Sequence, residues 1–308
     1  MEKCLFLYNP LSGKGKIVKN EEKIVKDLSQ KYEVEVCRSQ HPGHIGELIL
    51  EKGNDVDLIV IAGGDGTLNE AINSIMRLGK KVKLGYIPTG TVNDVAHSLG
   101  IPRNIKKAVK NILEGEEFSH DVFKMNDRYG IYVCCSGLFT ETSYATDQKQ
   151  KRKMGKVAYA FHGIKKVFST PAVKLKLSYD GGELEGKYAL MLVLNSKSVA
   201  GFRINRRAAL NDGLVDVVLI KSKKDKVNFG AVCKVAMFFL QGIKTHYKKN
   251  IDVLQIDKFR IDTTEDTIIN LDGEKIGEGS FNFEVIKEGI NIIVPSLKKL
   301  VKHEEKID

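Results

Sequence analysis

Two hydrophobic periods alternate along the first 120 or so residues. Short apolar runs at Lys3–Tyr8, Tyr32–Cys37, Val56–Ala62 and Val82–Ile87 read as strands, the third of them buried. Between them the spacing lengthens to that of helices at Ile17–Leu28, His44–Leu50 and Leu68–Leu78, with two more at Val92–Leu99 and Ile105–Leu113. In the third helix Leu68, Ala71, Ile72, Ile75 and Met76 draw a single apolar stripe. This rhythm predicts a mostly parallel sheet covered on both faces, whose ligands bind beyond the carboxyl ends of its strands.

From Phe118 onward strands dominate. Phe118–Met125 and Tyr129–Cys135 flank the hairpin turn Asn126-Asp127-Arg128, and Ala172–Tyr179 turns through Asp180-Gly181-Gly182 into Leu184–Asn195. Further strands are expected at Leu214–Ile220, Val253–Asp262, Thr267–Leu271, Phe281–Ile286 and Ile290–Val294. Helical patterns interrupt them at Met154–Phe168 and Phe229–Gly242, and a short helix closes the chain at Ser296–His303. The expected architecture is an α/β domain with a mostly parallel sheet over residues 1–124, then an all-β, sandwich-like domain over 125–286. Residues 287–308 are expected to pack back on the first domain.

Composition adds a location and a class of partner. Of 308 residues, 42% are hydrophobic and 29% charged, an ordinary globular balance, and no apolar run approaches the roughly 20 residues of a membrane-spanning helix. The start, Met1-Glu2-Lys3, leads straight into a strand, so no signal peptide is expected. The five cysteines (Cys4, Cys37, Cys134, Cys135, Cys233) lack metal spacing and fall in apolar or strand-like runs, as reduced thiols of a cytoplasmic protein do. The net charge of +10 admits nucleic acid, an anionic membrane or an anionic metabolite as partner. From Gln148 to Tyr179 there is no acid, while Lys149, Lys151, Arg152, Lys153, Lys156, Lys165, Lys166, Lys174 and Lys176 all fall inside. Tryptophan is absent and basic residues do not alternate with aromatic ones, which argues against nucleic acid and for peripheral contact with an anionic membrane.

The most telling local feature is Gly63-Gly64-Asp65-Gly66-Thr67, at the corner between a buried strand and an amphipathic helix. Glycines there let backbone N–H groups turn toward an anion, and Asp65 stands where a metal or a proton is held beside it. The plainer reading is a tight turn with a polar cap. Two further loops, Asn9–Lys16 and Pro88–Asn93, fall on the same sheet edge. Gly13-Lys14-Gly15-Lys16 is too short for a Walker A loop. The scattered histidines form no hydrolytic constellation.

These motifs carry a family resemblance. Gly63–Thr67 with Asn69-Glu70, and Ile87-Pro88-Thr89-Gly90-Thr91-Val92-Asn93-Asp94, resemble the diacylglycerol kinase catalytic fold, and more closely soluble bacterial lipid kinases of that type. Asn9-Pro10-Leu11-Ser12-Gly13-Lys14, Asp121–Asn126, Leu210-Asn211-Asp212-Gly213 and Leu271-Asp272-Gly273-Glu274 continue the match in family order. The Gly-Gly-Asp-Gly-Thr run alone also occurs in NAD kinases and phosphofructokinase relatives. The resemblance implies a nucleotide-binding α/β domain and transfer of the ATP γ-phosphoryl group to a lipid hydroxyl, with diacylglycerol first among the acceptors. Phosphatidylglycerol, a sphingoid lipid, a soluble metabolite as in NAD kinase, and a non-catalytic nucleotide- or lipid-binding module stay open.

Site residues follow from the match. Asn9, Ser12, Lys14, Ser39, Gly63, Gly64, Asp65, Gly66, Thr67, Asn69, Glu70, Thr89, Gly90 and Thr91 are the expected nucleotide contacts. Asp65, Asp94 and Asp121 are expected to share a catalytic Mg²⁺, mostly through water. By the resemblance Glu274 is the general base, and Asp212 with the carbonyls of Ala209 and Leu214 holds a structural Mg²⁺. The partners implied are a lipid substrate at an anionic membrane, with Tyr159 and His162 near its entrance, and a second copy of the chain.

Overall fold

The computed structural model describes residues 1–138, 170–243, 250–264, 267–277 and 279–301. The predicted helix at Met154–Phe168, most of the basic span, and Tyr159 and His162 lie outside them.

Four parallel strands, β1 (Glu2–Tyr8), β2 (Tyr32–Arg38), β3 (Leu58–Gly63) and β4 (Lys83–Pro88), pair in the order β2-β1-β3-β4. Every residue of β3 is buried, as a central strand under helices on both faces must be. Alternate residues feed two cores. On one face Leu5, Leu7, Ile59 and Ile61 meet α2 (His44–Lys52) and α3 (Asp65–Leu78). On the other, Phe6, Leu58 and Val60 meet α1 (Glu21–Leu28) and α5 (Ile105–Glu114).

Helix starts differ from the hydrophobic spacing where polar chemistry intervenes. The segment before α1 forms 3-10 turns at Ser12–Gly15 and Val18–Asn20, because the Asn20 side chain donates to Lys16 O (2.8 Å). Helix α3 begins at Asp65, three residues ahead of the apolar stripe. Helix α4 (Asp94–Leu99) begins two residues later than predicted, because Asn93 sits in the left-handed region at φ 57°.

The β-rich part comprises β5 (Glu116–Met125), β6 (Arg128–Gly130), β7 (Val133–Gly137), β8 (Val173–Tyr179), β9 (Gly182–Leu194), β10 (Val215–Lys221), β11 (Ile251–Ile256), β12 (Lys258–Thr263), β13 (Ile269–Leu271), β14 (Glu274–Gly277) and β15 (Ser280–Val294). Its core joins Phe123, Leu175, Met191, Val217, Ile261 and Phe283, with the Phe259 and Phe283 rings stacked at 4.6 Å. Helix α6 (Phe229–Gln241) covers the other face of β9 and β10 through Ala231, Val235 and Phe238. A last helix, α7, spans Lys298–Val301.

Four predicted strands change form. Tyr129–Cys135 splits into β6 and β7, because the intervening amides turn to a buried carboxylate described below. Val253–Asp262 breaks at Asp257: β11 pairs with β10, whereas β12 pairs with β8 and β15. Conversely, Phe281–Ile286 and Ile290–Val294 are one strand, β15, interrupted by a bulge with Glu288 at φ 52°. Strand β15 runs antiparallel to β5 along its length and parallel to β4 at Asn291 and Ile292, so hydrogen bonding is continuous from the first sheet into the second.

Candidate active site

The three glycine-bearing loops meet at the carboxyl ends of β1, β3 and β4. Gly63 O accepts from Thr89 N (2.8 Å), and Ser12 Oγ lies 2.9 Å from Thr89 Oγ1. The approach is too close for side chains: a Cβ on Gly90 would stand 2.7 Å from Gly64 Cα, and one on Gly13 2.9 Å from Thr89 O. Asn93 holds the third loop as a clasp. Its Oδ1 accepts from Gly90 N (2.9 Å), its Nδ2 donates to Gly90 O (2.8 Å), and its own amide donates to Asp65 Oδ2 (2.8 Å). Arg103 braces the loop from outside by donating to Thr91 O at 2.8 Å. The corner itself is Gly63-Gly64, and Asp65, Gly66 and Thr67 form the first turn of α3, whose leading N–H groups lack helical acceptors. Ser39, at the end of β2, is bound through its amide to Tyr8 O on the same edge. Asn9 accepts from Leu11 N and shapes the first loop. The backbone of Lys14 lies in that loop, within the Ser12–Gly15 turn.

The three expected acids, Asp65, Asp94 and Asp121, make different contacts. Asp65 Oδ1 is buried without a hydrogen-bond partner, and burial raises its carboxyl above the ordinary range, with the charge of Asp94 adding to the rise. Asp94 is not a cap on its own helix. Its Oδ1 accepts from Ser198 Oγ (3.0 Å) and Gly201 N (3.0 Å) and its Oδ2 from Ala200 N (2.6 Å), all on a loop of the β-rich part. Asp121 draws on other donors. Its oxygens accept from Glu288 N and Gly213 N, both at 2.7 Å, tying the bulge in β15 to the 210–214 turn. Burial raises its carboxyl, and the charges bearing on it most are Asp212 and Lys287 rather than Asp65 or Asp94.

Around that turn, Leu210 O accepts from Asp121 N and Asp212 Oδ1 from Leu214 N (3.0 Å), with Ala209 preceding. Asp216 accepts from the side chains of Asn205 and Gln255, and burial raises its carboxyl above the ordinary range, with the charge of Asp212 adding to the rise.

Asn69 and Glu70, read from sequence as nucleotide contacts, are engaged elsewhere. Glu70 Oε1 accepts from Gly46 N (2.9 Å) and ties α3 to α2, while Asn69 Nδ2 donates to Asp272 Oδ2 (2.8 Å). Both lie further along α3, where they line a cleft of about 400 Å³ together with Arg128, Tyr129 and Glu274. Glu274 opens β14 with its side chain 53% exposed and 3.5 Å from Arg128 Nη1.

Asp272 is the residue that sequence reasoning missed. Asp272-Gly273, both at positive φ, form the two-residue turn of the β13–β14 hairpin, as expected of an Asp-Gly pair. The Asp272 carboxylate is buried as well, accepting from the amides of Ile131 (2.7 Å), Tyr132 (3.1 Å) and Val133 (2.8 Å) besides Asn69. Burial pushes it up to about 6 despite those donors. Nothing in the pattern distinguishes this carboxylate from an exposed turn acid. Ser198 was equally silent, since no motif surrounds it.

Two lysines of the basic span that are described, Lys174 and Lys176, pair with Asp225 (3.6 Å) and Glu183 (2.8 Å). A span free of acids in sequence is therefore not free of them in space. Among the described residues no helix is long and apolar enough to cross a membrane.

Comparison with known proteins assigns the chain to a family. The family model described as diacylglycerol kinase catalytic domain matches residues 3–125, and that described as YegS C-terminal NAD kinase beta sandwich-like domain matches 133–294. A Bacillus subtilis (strain 168) protein named diacylglycerol kinase is 31% identical over 302 residues, covering 97% of this chain and 98% of the relative. One of the same name from Staphylococcus carnosus (strain TM300) is 32% identical over 309 residues, with 99% and 98% covered. A crystal structure of a diacylglycerol kinase from Bacillus anthracis (strain Sterne) superposes with a TM-score of 0.76 at 25% identity, covering 95% of this chain and 97% of that one. Another solved chain from that strain reaches 0.80 at 27% identity with the same coverage. Matched along nearly its whole length in sequence and in fold, the chain belongs to the diacylglycerol kinase family.

Proposed function

We propose that the chain transfers the γ-phosphoryl group of ATP to a lipid hydroxyl at an anionic membrane surface, converting diacylglycerol to phosphatidic acid. The observation that carries this reading is the contact of three glycine-bearing loops beside Asp65, with Asp94 pinned across to the β-rich part. Phosphoryl transfer asks for positioning and charge neutralisation more than for covalent chemistry. The loop amides and the α3 N-terminus supply donors for the phosphates.

The buried, unpartnered Asp65 Oδ1 fits a divalent cation, since a carboxylate so placed lacks the donor it needs. Asp65 would hold Mg²⁺ there with Asp94 nearby, and the ion would supply charge neutralisation at the transferring group. The oxygen-rich set of Asp121, Asp212 and Asp216 likewise fits a hard cation, with Asp212 and the carbonyls of Ala209 and Leu214 as its ligands. Glu274, beside Arg128 in the cleft along α3, takes the proton of the acceptor hydroxyl. The Asp272 turn fixes the start of β14 and with it the position of Glu274.

The test is purified protein with radiolabelled ATP and mixed micelles of diacylglycerol, phosphatidylglycerol or a sphingoid base, beside NAD. Label in phosphatidic acid is the expected result. Label in NADP alone, or in no product, overturns the proposal.

A further inference from the structure

One helical turn along α4 from Asp94, a separate cavity of about 420 Å³ opens between His97, Lys197, Arg203 and Arg206 on one side and Pro295 and Leu300 on the other. None of its lining residues is acidic. Among the described residues no ion pair engages Lys197, Arg203 or Arg206. The contacts they do make are with neutral acceptors. Lys197 Nζ donates to Leu300 O (3.3 Å), and Arg203 Nη2 donates to His97 Nε2 (3.3 Å). The second contact leaves the His97 proton on Nδ1, facing Ser198 Oγ at 3.3 Å. Burial lowers the Lys197 ammonium from its usual range, the cost of holding a charge there without a counter-charge.

We propose that this cavity binds a phosphate group. Two guanidinium forks and an ammonium, drawn from one loop over a hollow without carboxylates, match a compact polyvalent anion better than a lone carboxylate. Free inorganic phosphate and the phosphomonoester headgroup of a lipid present the same chemistry to it. The site also communicates with the active site. Ser198 faces His97 and donates to Asp94 Oδ1 (3.0 Å), so a single hydroxyl joins the wall of the cavity to an acid of the active site.

The test reads binding rather than turnover, and so stands apart from the catalytic proposal. Inorganic phosphate is titrated calorimetrically into the full-length chain. The chain is also sedimented with phosphatidylcholine vesicles containing phosphatidic acid, against vesicles with phosphatidylglycerol in its place. Wild type, R203Q/R206Q and G66A are compared, with thermal melts to certify folding, and R206Q alone serves if the double variant does not fold. At least one probe is expected to bind wild type and G66A alike, and about tenfold or more weaker to R203Q/R206Q. The probe that responds names the source of the phosphate. Absence of binding by both probes, or binding indifferent to the arginines, overturns the proposal.

Discussion

Gly66→Ala separates the demands of the fold from those of the chemistry. Gly66 lies in the first turn of α3, and a Cβ added there meets nothing within 4 Å beyond its chain neighbours and the backbone of its own helix. Glycine in a helix is less stable than alanine by roughly 0.5–1 kcal/mol, so the variant should be stabilised by up to about that amount. For a chain of this size that corresponds to a rise in Tm of about 1–3 °C. The same methyl group occupies the face of the corner against which the triphosphate is proposed to pack. Displacing the phosphates by about an ångström costs on the order of 100-fold in rate. Gly90→Ala is the contrasting control, because its Cβ would lie 2.7 Å from Gly64 Cα and 2.7 Å from Asn93 Oδ1. That variant should lose about 1–3 kcal/mol of stability, and activity along with it. Thermal melts with initial rates across a range of ATP at saturating lipid read both quantities. G66A with wild-type kcat and KM would show that no phosphate approaches that face. A lower melting temperature would show that the methyl group is not accommodated.

Three further outcomes are expected. Asp65→Asn keeps the bond from Asn93 and removes a buried charge, so its melting temperature should equal or exceed wild type while turnover falls about 100-fold or more; turnover within tenfold of wild type removes Asp65 from the mechanism. Glu274→Gln breaks only a half-exposed pair with Arg128 and should change stability by less than about 1 kcal/mol, yet remove most turnover in the same radiolabel assay. Asp272, with its carboxyl raised to about 6 in the fold against 3.8 in the unfolded chain, takes up its proton more readily when folded. Its contribution is therefore fully present below pH ~4 and is lost as pH rises to ~6, by about 3 kcal/mol, so the stability of wild type minus that of Asp272→Asn should fall across that window in urea melts; a flat difference refutes it.

Periodicity made the parallel sheet and the glycine corner legible, because β3 and the α3 stripe each present one pattern over several residues. It failed where a polar side chain redirects the backbone. The amides of 131–133 leave the ladder for Asp272, and Asn93 delays the start of α4. The gap between the predicted strands Phe281–Ile286 and Ile290–Val294 is no break, but a bulge whose free amide, that of Glu288, is taken by Asp121. Acids were recognisable as acids but not as members of a group. Asp94 and Asp121 find their partners 92 to 167 residues away, a separation at which one sequence carries no signal.

The long final strand orders events during synthesis. Until residue 291 emerges from the ribosome, β4 has a vacant flank, and β5 waits equally for the residues that will zip along it. A fragment ended near residue 125 would leave both rows of backbone donors and acceptors open to other chains. Such a piece should precipitate or recruit copies of itself, whereas supplying residues 280–294 as a separate peptide should restore it to solution.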